Sequence, residues 1–505
     1  MQKSILGIPA RDKAITGMKY LVSAVKSTLG PFGYNVLLEK SNRITNDGYT
    51  ISKSVCNAIK NEFERRGAIT IHEASAKTND QVGDATTTAE VLAEAIVLEC
   101  IKYLKTEGVV SSKMKPSEII EKLKKEKDEV ISKLEKMVKP IETEEELINS
   151  AKVSVEDDEL AKLIGQAQWK IGKDGMIMAE ETAEYNSSIE YVKGIKFDNG
   201  YGTSMAINNP EKQTLEVKDC QVIMTNYVVS DLTPLLPVMN ALASIGKKNL
   251  IIIARAYTEK AIKDCKANFD AGFFVYPVNA PYTNQKEIMQ DLEVVLGGRY
   301  IDTEGGSKLE DVGLADVGFA TKLVARRFDA VIAGKDDKET EARVKSRVAE
   351  LKKALKGSTS EFEKKMLQSR ISQLQNGFAI LKVGAETDVE RQRKKDKCDD
   401  AVNAVGLAYQ GGTVKGGGEA FVEISTSMSE DSLLKKPLMS IYNQIMLSAP
   451  AGFEVPEWCR DPYLVLKAAL TNAVSVAGTF ASINGIVTSE NPHQCQCAKA
   501  IQENE

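Results

Sequence analysis

Seven consecutive residues, Gly83-Asp84-Ala85-Thr86-Thr87-Thr88-Ala89, set one carboxylate and three hydroxyls where the chain turns into a strong helix former. Adjacent threonines suit a helix interior poorly, because β-branched side chains lose rotamer freedom there and hydroxyls compete for backbone groups. Glu90-Val91-Leu92-Ala93-Glu94-Ala95-Ile96 and the residues up to Leu104 suit one well, so the threonines are predicted to fill a first helical turn. Backbone N–H groups are unpaired in a first turn, and the helix dipole favours an anion there. With hydroxyl donors beside them and the hard oxygen of Asp84 upstream, the stretch describes a seat for a triphosphate with Mg2+. An ordinary capped helix with a threonine-rich first turn satisfies the same residues.

Three further stretches carry turn or loop chemistry. Thr28-Leu29-Gly30-Pro31-Phe32-Gly33 is a breaker cluster, and Thr45-Asn46-Asp47-Gly48 is a turn. Gly411-Gly412-Thr413-Val414-Lys415-Gly416-Gly417-Gly418 holds five glycines in eight residues, which calls for close backbone approach or positive φ rather than a flexible linker, since apolar helical sequence resumes at Ala420-Phe421-Val422. The chain has only two histidines, so imidazole catalysis is not central. Eight cysteines follow no spacing framework, which points to a reducing compartment and a cytoplasmic location. His493-Gln494-Cys495-Gln496-Cys497 reads as a tail with incidental cysteines rather than a metal site. A net charge of −5 argues against a nucleic-acid binder, and the basic run Lys122 to Lys127 is interleaved with acids as a solvated helix face. The apolar run after Met1 is too short for a signal peptide. No stretch approaches a membrane-spanning length; the richest, Leu250-Ile251-Ile252-Ile253, has the length of a buried strand.

These stretches need elements to bring them together. At 505 residues the chain is too long for one core, so two or three domains are expected. Residues 10–27 have helical periodicity, another helix starts near Ile51, and Pro116-Ser117 opens one that ends before Pro140. Near residue 170 glycines and short β-rich runs appear, alternating with helical patterns at 232–245 and 258–270. That pattern describes an α/β domain inserted into a mainly helical one whose two halves come from the two chain ends. Two charged helices, 339–356 and 361–375, form a helical hairpin, with Ser360 and Glu363 as a capping box. From 386 the chain is mainly helical again, and no internal repeat is evident.

Taken together, the residues resemble the group I chaperonins, the GroEL type. The matching motifs are Thr28-Leu29-Gly30-Pro31 with Gly33-Tyr34-Asn35-Val36, Asp47-Gly48, Gly83 to Ala89, Gly172-Lys173-Asp174-Gly175, Phe197-Asp198-Asn199-Gly200-Tyr201, Lys382-Val383-Gly384-Ala385, Asp399-Asp400-Ala401, Gly416-Gly417-Gly418 and Ser475-Val476-Ala477-Gly478. They keep the family's order and spacing from about residue 10 to 488, and no P-loop of the GxxxxGK[ST] form competes with them.

The resemblance implies an α+β multidomain fold: a mainly helical equatorial ATPase domain (1–134 and 411–505), a small intermediate hinge domain (135–192 and 375–410) and an inserted α/β apical domain (193–374). It implies a homo-oligomeric ring, typically of seven subunits, that encloses unfolded client proteins, with ATP, Mg2+ and K+ as ligands. It makes Asp400 and Asp47 the catalytic carboxylates and Asp84 the Mg2+ ligand. Thr28, Leu29, Gly30, Pro31, Asn46, Ala85, Thr86, Thr87, Thr88, Gly417 and Asp461 would complete the nucleotide contacts. Tyr201, Met205, Leu236, Met239 and Ile262 would form the apical substrate-binding face. Phosphoryl transfer needs mainly positioning and charge neutralisation, so carboxylates can serve it without histidine.

Several positions depart from the family. Ala85 stands for a glycine, which a helix start tolerates if φ is negative. Asn46 stands for a lysine, Met205 and Ala206 for two aromatics, and Lys266 for a valine. The segment that contacts adenine is missing between Phe453 and Asp461, and Asp461-Pro462 follows the gap. These departures put substrate capture and docking of a co-chaperonin cap in question. They leave a chaperonin-like scaffold or holdase with little ATP hydrolysis as the alternative reading. A metabolic kinase is a third, without any identified second-substrate site.

Overall fold

The computed structural model describes residues 2–38, 43–104, 114–155, 157–173, 175–192, 194–210, 213–303, 305–358 and 360–489. Asp174 and the tail bearing His493, Cys495 and Cys497 lie outside them. The chain forms two compact units: residues 1–166, 179–188 and 382–505, and residues 167–178 with 189–381.

In the first unit, helix α1 (Ile8–Lys26) buries Ala10, Ala14, Met18, Leu21, Val22 and Val25, the stripe that its periodicity predicts. Strands Val36–Leu38 and Arg43–Thr45 pair antiparallel. The helix expected from Ile51 is two helices, α2 (Gly48–Ala58) and α3 (Glu62–Val82). The break comes at Ile59, whose backbone is extended, and at Asn61, whose side chain accepts from the Phe63 and Glu64 N–H groups at 3.0 and 3.3 Å and caps α3. Helix α4 (Thr86–Ile101) is apolar on nearly every side and is accordingly central: Ala89, Leu92, Ala93, Ile96, Val97 and Cys100 are all fully buried. Helices α5 (Pro116–Lys136) and α6 (Glu144–Val155) follow, and α7 (Asp158–Ile171) leads to the crossing into the second unit.

The second unit is built on a mixed seven-stranded sheet. Phe274–Asn279, Asn249–Ala254 and Leu215–Thr225 are parallel neighbours, and Gly318–Ala325, Asp329–Ala333 and Gly194–Asp198 extend the sheet antiparallel. Along Leu250-Ile251-Ile252-Ile253 alternate residues enter two different cores. Leu250 and Ile252 meet α8 (Leu236–Ser244) and α9 (Glu259–Asp270); Ile251 and Ile253 meet α10 (Gln285–Leu296), α11 (Lys338–Gly357) and α12 (Glu361–Asn376). Both sheet faces are covered, which is why the strand reads as an unbroken apolar run. Helices α11 and α12 form the expected hairpin. Ser360 caps α12 by accepting from the Glu363 N–H at 3.4 Å, while the Glu363 carboxylate accepts from the Ser358 hydroxyl.

The chain returns to the first unit with α13 (Asp388–Gly411), α14 (Glu419–Thr426), the short α15 (Lys435–Leu438), α16 (Ser440–Ser448) and α17 (Tyr463–Ala481). By length and composition α17 could cross a membrane, contrary to the expectation that no stretch would reach that length. It is a core helix instead, with Ala469, Leu470, Ala473 and Ala477 fully buried. The two chain ends do meet: Gln2–Leu6 pairs antiparallel with Gly485–Ser489.

Candidate nucleotide site

The α4 start lies as its residue types predict. Thr86, Thr87 and Thr88 open the helix, and no side chain caps it. Its first-turn N–H groups therefore keep their capacity to bind an anion. Gly48 allows the next approach: a Cβ there would stand 2.4 Å from Thr87 Oγ1 and 2.8 Å from the Thr87 nitrogen. Only a residue without a side chain lets the α2 start come this close, and the approach carries Asp47 to the threonines. Asp47 itself caps α2, accepting from the Tyr49 and Thr50 N–H groups at 3.3 and 2.9 Å.

The condition under which alanine is tolerated at position 85 is not met: its φ is +57°, in the left-handed region. An L-residue there is strained by roughly 1–2 kcal/mol, partly offset by the greater unfolded-chain entropy of glycine. Ala85→Gly is therefore expected to raise stability by about 0.5–1 kcal/mol, read as a higher denaturant midpoint at unchanged m-value. A lower midpoint would show that the strain is absent.

Four carboxylates from distant stretches converge here. Burial raises Asp84 to about 6, with the neighbouring Asp47 charge adding and the Ala85 N–H opposing. Burial, and then the charges of Asp84, Asp47, Asp399 and Asp396, hold Asp400 well above the usual carboxylate range. Asp461 is pushed up to about 7 by burial and by Asp84, against hydrogen bonds from the Gly417 and Gly418 N–H groups. A site that raises Asp84, Asp400 and Asp461 together in this way is short of positive charge, and a cation is the natural complement. Among the described residues no group of three or more His, Cys, Asp or Glu side chains forms a metal site by itself.

Thr28 donates its hydroxyl to the Val25 carbonyl at 2.7 Å just past the end of α1. Gly30 has φ +78° and lies beside Ile445, Leu29 packs against the core, and Pro31 is exposed. Asn46 is half-buried next to Asp47. Gly417 and Gly418 have φ of +62° and +82°, as the glycine run requires. Val455 closes on Gly417, and the Phe453 ring meets Phe32 edge-on with centroids 4.9 Å apart.

The sequence reading missed the residues that hold α13 in place. Arg43 Nη2 donates to both Asp396 oxygens at 2.8 and 2.7 Å, and Asn403 Nδ2 donates to the Gly83 carbonyl at 3.2 Å. The available signal was spacing: Asp396, Asp400 and Asn403 recur at i, i+4 and i+7.

One turn beyond the threonines, Glu90 is fully buried near Ser52 of α2 and His72 and Ser75 of α3. Ser52 Oγ and His72 Nδ1 share a hydrogen bond, and that nitrogen lies 4.0 Å from Glu90 Oε1. The Ser52 and Ser75 hydroxyls ease Glu90's charge, yet neither carboxylate oxygen has a partner at full hydrogen-bonding geometry. Burial is the largest influence and sets Glu90 well above the usual range; burial, with Lys53, lowers His72 to about 4. Both shifts favour the neutral form of the group in the fold. Glu90's raised value gives stability that is complete below its unfolded value of about 4.3 and is lost as pH rises. His72's lowered value gives stability that is complete above its unfolded value of about 6.5 and is lost as pH falls toward 4. Glu90→Gln should therefore gain stability over the wild type increasingly from pH 5 to pH 8, reaching roughly 2 kcal/mol. Thermal melts across that range test it, and a gain that does not grow with pH would sink the account.

In the second unit the residues expected on an apical capture face divide. Met205 and Leu236 are 61% and 41% exposed, and Ile262 and Tyr201 are half-buried. Met239 is only 3% exposed and belongs to the core beneath α8 and α9, which removes it from that face.

Two crystal structures of the chaperonin gp146 from the bacteriophage EL 2 (Pseudomonas aeruginosa), both in the presence of ATP-BeFx, share this fold. One has a TM-score of 0.69 at 18% identity, covering 97% of this chain and 99% of that one. The other crystal form has a TM-score of 0.61 at the same identity and coverage. The TCP-1/cpn60 chaperonin family profile matches residues 21–268.

Proposed function

The chain is a divergent member of the chaperonin family, and from that premise we propose that it couples ATP hydrolysis to the enclosure and folding of unfolded proteins in a ring of like subunits. The observation that carries this reading is the convergence of Asp47, Asp84 and Asp400, from three distant stretches, on an uncapped helix start bearing Thr86 and Thr87. Asp84 would hold Mg2+, which supplies neutralising charge to the phosphates when bound, with K+ as an accompanying cation. Thr86 to Thr88 and the Thr28–Pro31 loop bind phosphate oxygens; Asn46, Ala85, Gly417 and Asp461 border the nucleotide. Asp400 and Asp47 orient the attacking water, the task that phosphoryl transfer leaves to the protein.

We assign residues 1–134 with 411–505 to an equatorial domain, 135–192 with 375–410 to a hinge domain, and 193–374 to an apical domain. Client capture falls to the apical surface around Met205 and Leu236, whose exposure supports it. Two two-stranded sheets support assembly: Leu6 and Val487 on the one made by the chain ends, and Leu37 and Ile44 on the hairpin, are 71%, 62%, 65% and 39% exposed. Apolar strands with open edges favour pairing with another copy. The lack of any spacing framework among the cysteines is the ground for assigning a reducing, cytoplasmic location.

The test is steady-state ATP hydrolysis by the purified protein together with its sedimentation and electron microscopy. We expect turnover by a particle many times the mass of one chain. A monodisperse monomer at micromolar concentration overturns the ring. A ring without turnover establishes the scaffold or holdase reading, which the missing adenine segment favours.

A further inference from the structure

Helix α13 brings three acids, Asp396, Asp399 and Asp400, to a place where Asp47 and Asp84 already stand, and each of these charges opposes the ionisation of Asp400. Like charges at this spacing push the helix away from the seat unless a cation opposes them. Arg43 is that cation. It sits on the strand Arg43–Thr45, which runs directly into Asn46 and the capping Asp47. Its guanidinium grips both oxygens of Asp396 at 2.7 and 2.8 Å, with the two side chains only 15% and 12% exposed. Gln392 Nε2 donates to the same carboxylate at 3.0 Å, and Lys395 pairs with Asp399 at 3.4 Å. One turn separates Asp396 from Asp400, and the other side of Asp400 is fastened by Asn403 on the Gly83 carbonyl. The helix is thus pinned on both sides of Asp400, to the strand that leads to Asp47 and to the residue before Asp84.

We propose that the Arg43–Asp396 pair is a latch that holds α13 down on the seat, making Arg43 a positioning residue for Asp400. The inference rests on the hydrolytic reading for its effect on rate, but the latch has a readout of its own. Cys398 lies on α13 between Asp396 and Asp400 and is fully buried. Loosening the helix exposes its thiol.

Arg43→Gln, Asp396→Asn, the double variant and Arg43→Lys would be compared with the wild type. The measurements are single-turnover ATP hydrolysis, equilibrium nucleotide binding, and alkylation of Cys398 followed by peptide mass spectrometry. Each neutralising single variant should slow hydrolysis about 30-fold, within the range for a misplaced reacting group. Nucleotide affinity should stay within about threefold, since a ground-state contact is not what is lost. Cys398 alkylation should quicken about tenfold or more, as expected of local opening. The double variant should be no worse than either single, because both remove one interaction. Arg43→Lys should recover part of the rate and the protection, retaining the charge but not the planar guanidinium that places Nη2 between the two Asp396 oxygens. Losses that multiply in the double variant, or affinity that falls as far as the rate, would overturn the latch in favour of a general structural role. Unchanged alkylation and rate in Arg43→Gln would overturn it outright. If the wild type does not hydrolyse ATP but Arg43→Gln still unmasks Cys398, the latch stands and the hydrolytic reading falls.

Discussion

Asp400→Ala is expected to slow single-turnover ATP hydrolysis by about 10²-fold or more, the range for a positioned acid–base group, while nucleotide affinity changes little. In the ground state any charge Asp400 carries stands beside Asp47, Asp84, Asp396 and Asp399 and would face a triphosphate of the same sign. Removing it costs no binding and relieves repulsion, so affinity stays level or rises slightly. In the transition state a carboxylate that orients water and draws on its proton has a partner that the ground state lacks. An interaction made only there lowers kcat without weakening binding. The burial and neighbouring charges that hold Asp400 above the usual range favour its taking up a proton. Hydrolysis by Asp400→Ala at the wild-type rate would remove Asp400 from the chemistry. A parallel loss of affinity would make it a binding group instead.

What could be read from the sequence was what local chemistry decides. The threonines at the start of α4, the apolar stripe of α1, the proline-initiated α5 and the buried strand around Ile252 all follow from residue type and spacing. The α2–α3 break was not legible because Ile59-Lys60-Asn61 contains neither glycine nor proline, and the polarity of Asn61 becomes a cap only once α3 forms. Pairing of the first and last described strands joins residues at opposite chain ends, which no local pattern announces. The length and apolarity of α17 are those of a membrane span; only the packing around it makes it a core helix. Met239 and Leu236 share helix α8, yet the direction of the core separates the buried one from the exposed one. Ala85 is the instructive case: its residue type argues for negative φ, and the turn between α3 and α4 imposes a positive one. In the site, the acids were visible individually, but Arg43, which opposes their repulsion, lies 353 residues from its partner and carries no motif.

Asp84→Ala is expected to act on binding, not on the chemical step alone. Asp84 stands directly before the uncapped start of α4, where a phosphate chain and its cation would meet. A carboxylate that ligates Mg2+ does so before, during and after hydrolysis, so its loss weakens the ground state as well as the transition state. The apparent affinity for Mg2+–ATP should fall by roughly 10- to 100-fold, the scale on which metal-site substitutions act. Raising Mg2+ should recover part of the binding. The nucleotide without metal should bind Asp84→Ala at least as well as the wild type, because one negative charge has left a crowded site whose other acids, Asp400 and Asp461, are themselves raised by Asp84. Titrations of both proteins with ATP, with and without Mg2+, separate these effects. If Asp84→Ala binds Mg2+–ATP as tightly as the wild type, Asp84 is not the metal ligand. If both titrations weaken equally, the substitution has disturbed the turn through Ala85 and not the metal, since the Asp84 carboxylate also accepts the Ala85 N–H at 2.5 Å. Asp84→Asn keeps an oxygen to accept that N–H while losing the charge. Weak Mg2+–ATP binding by Asp84→Asn, with metal-free binding intact, would assign the effect to the metal.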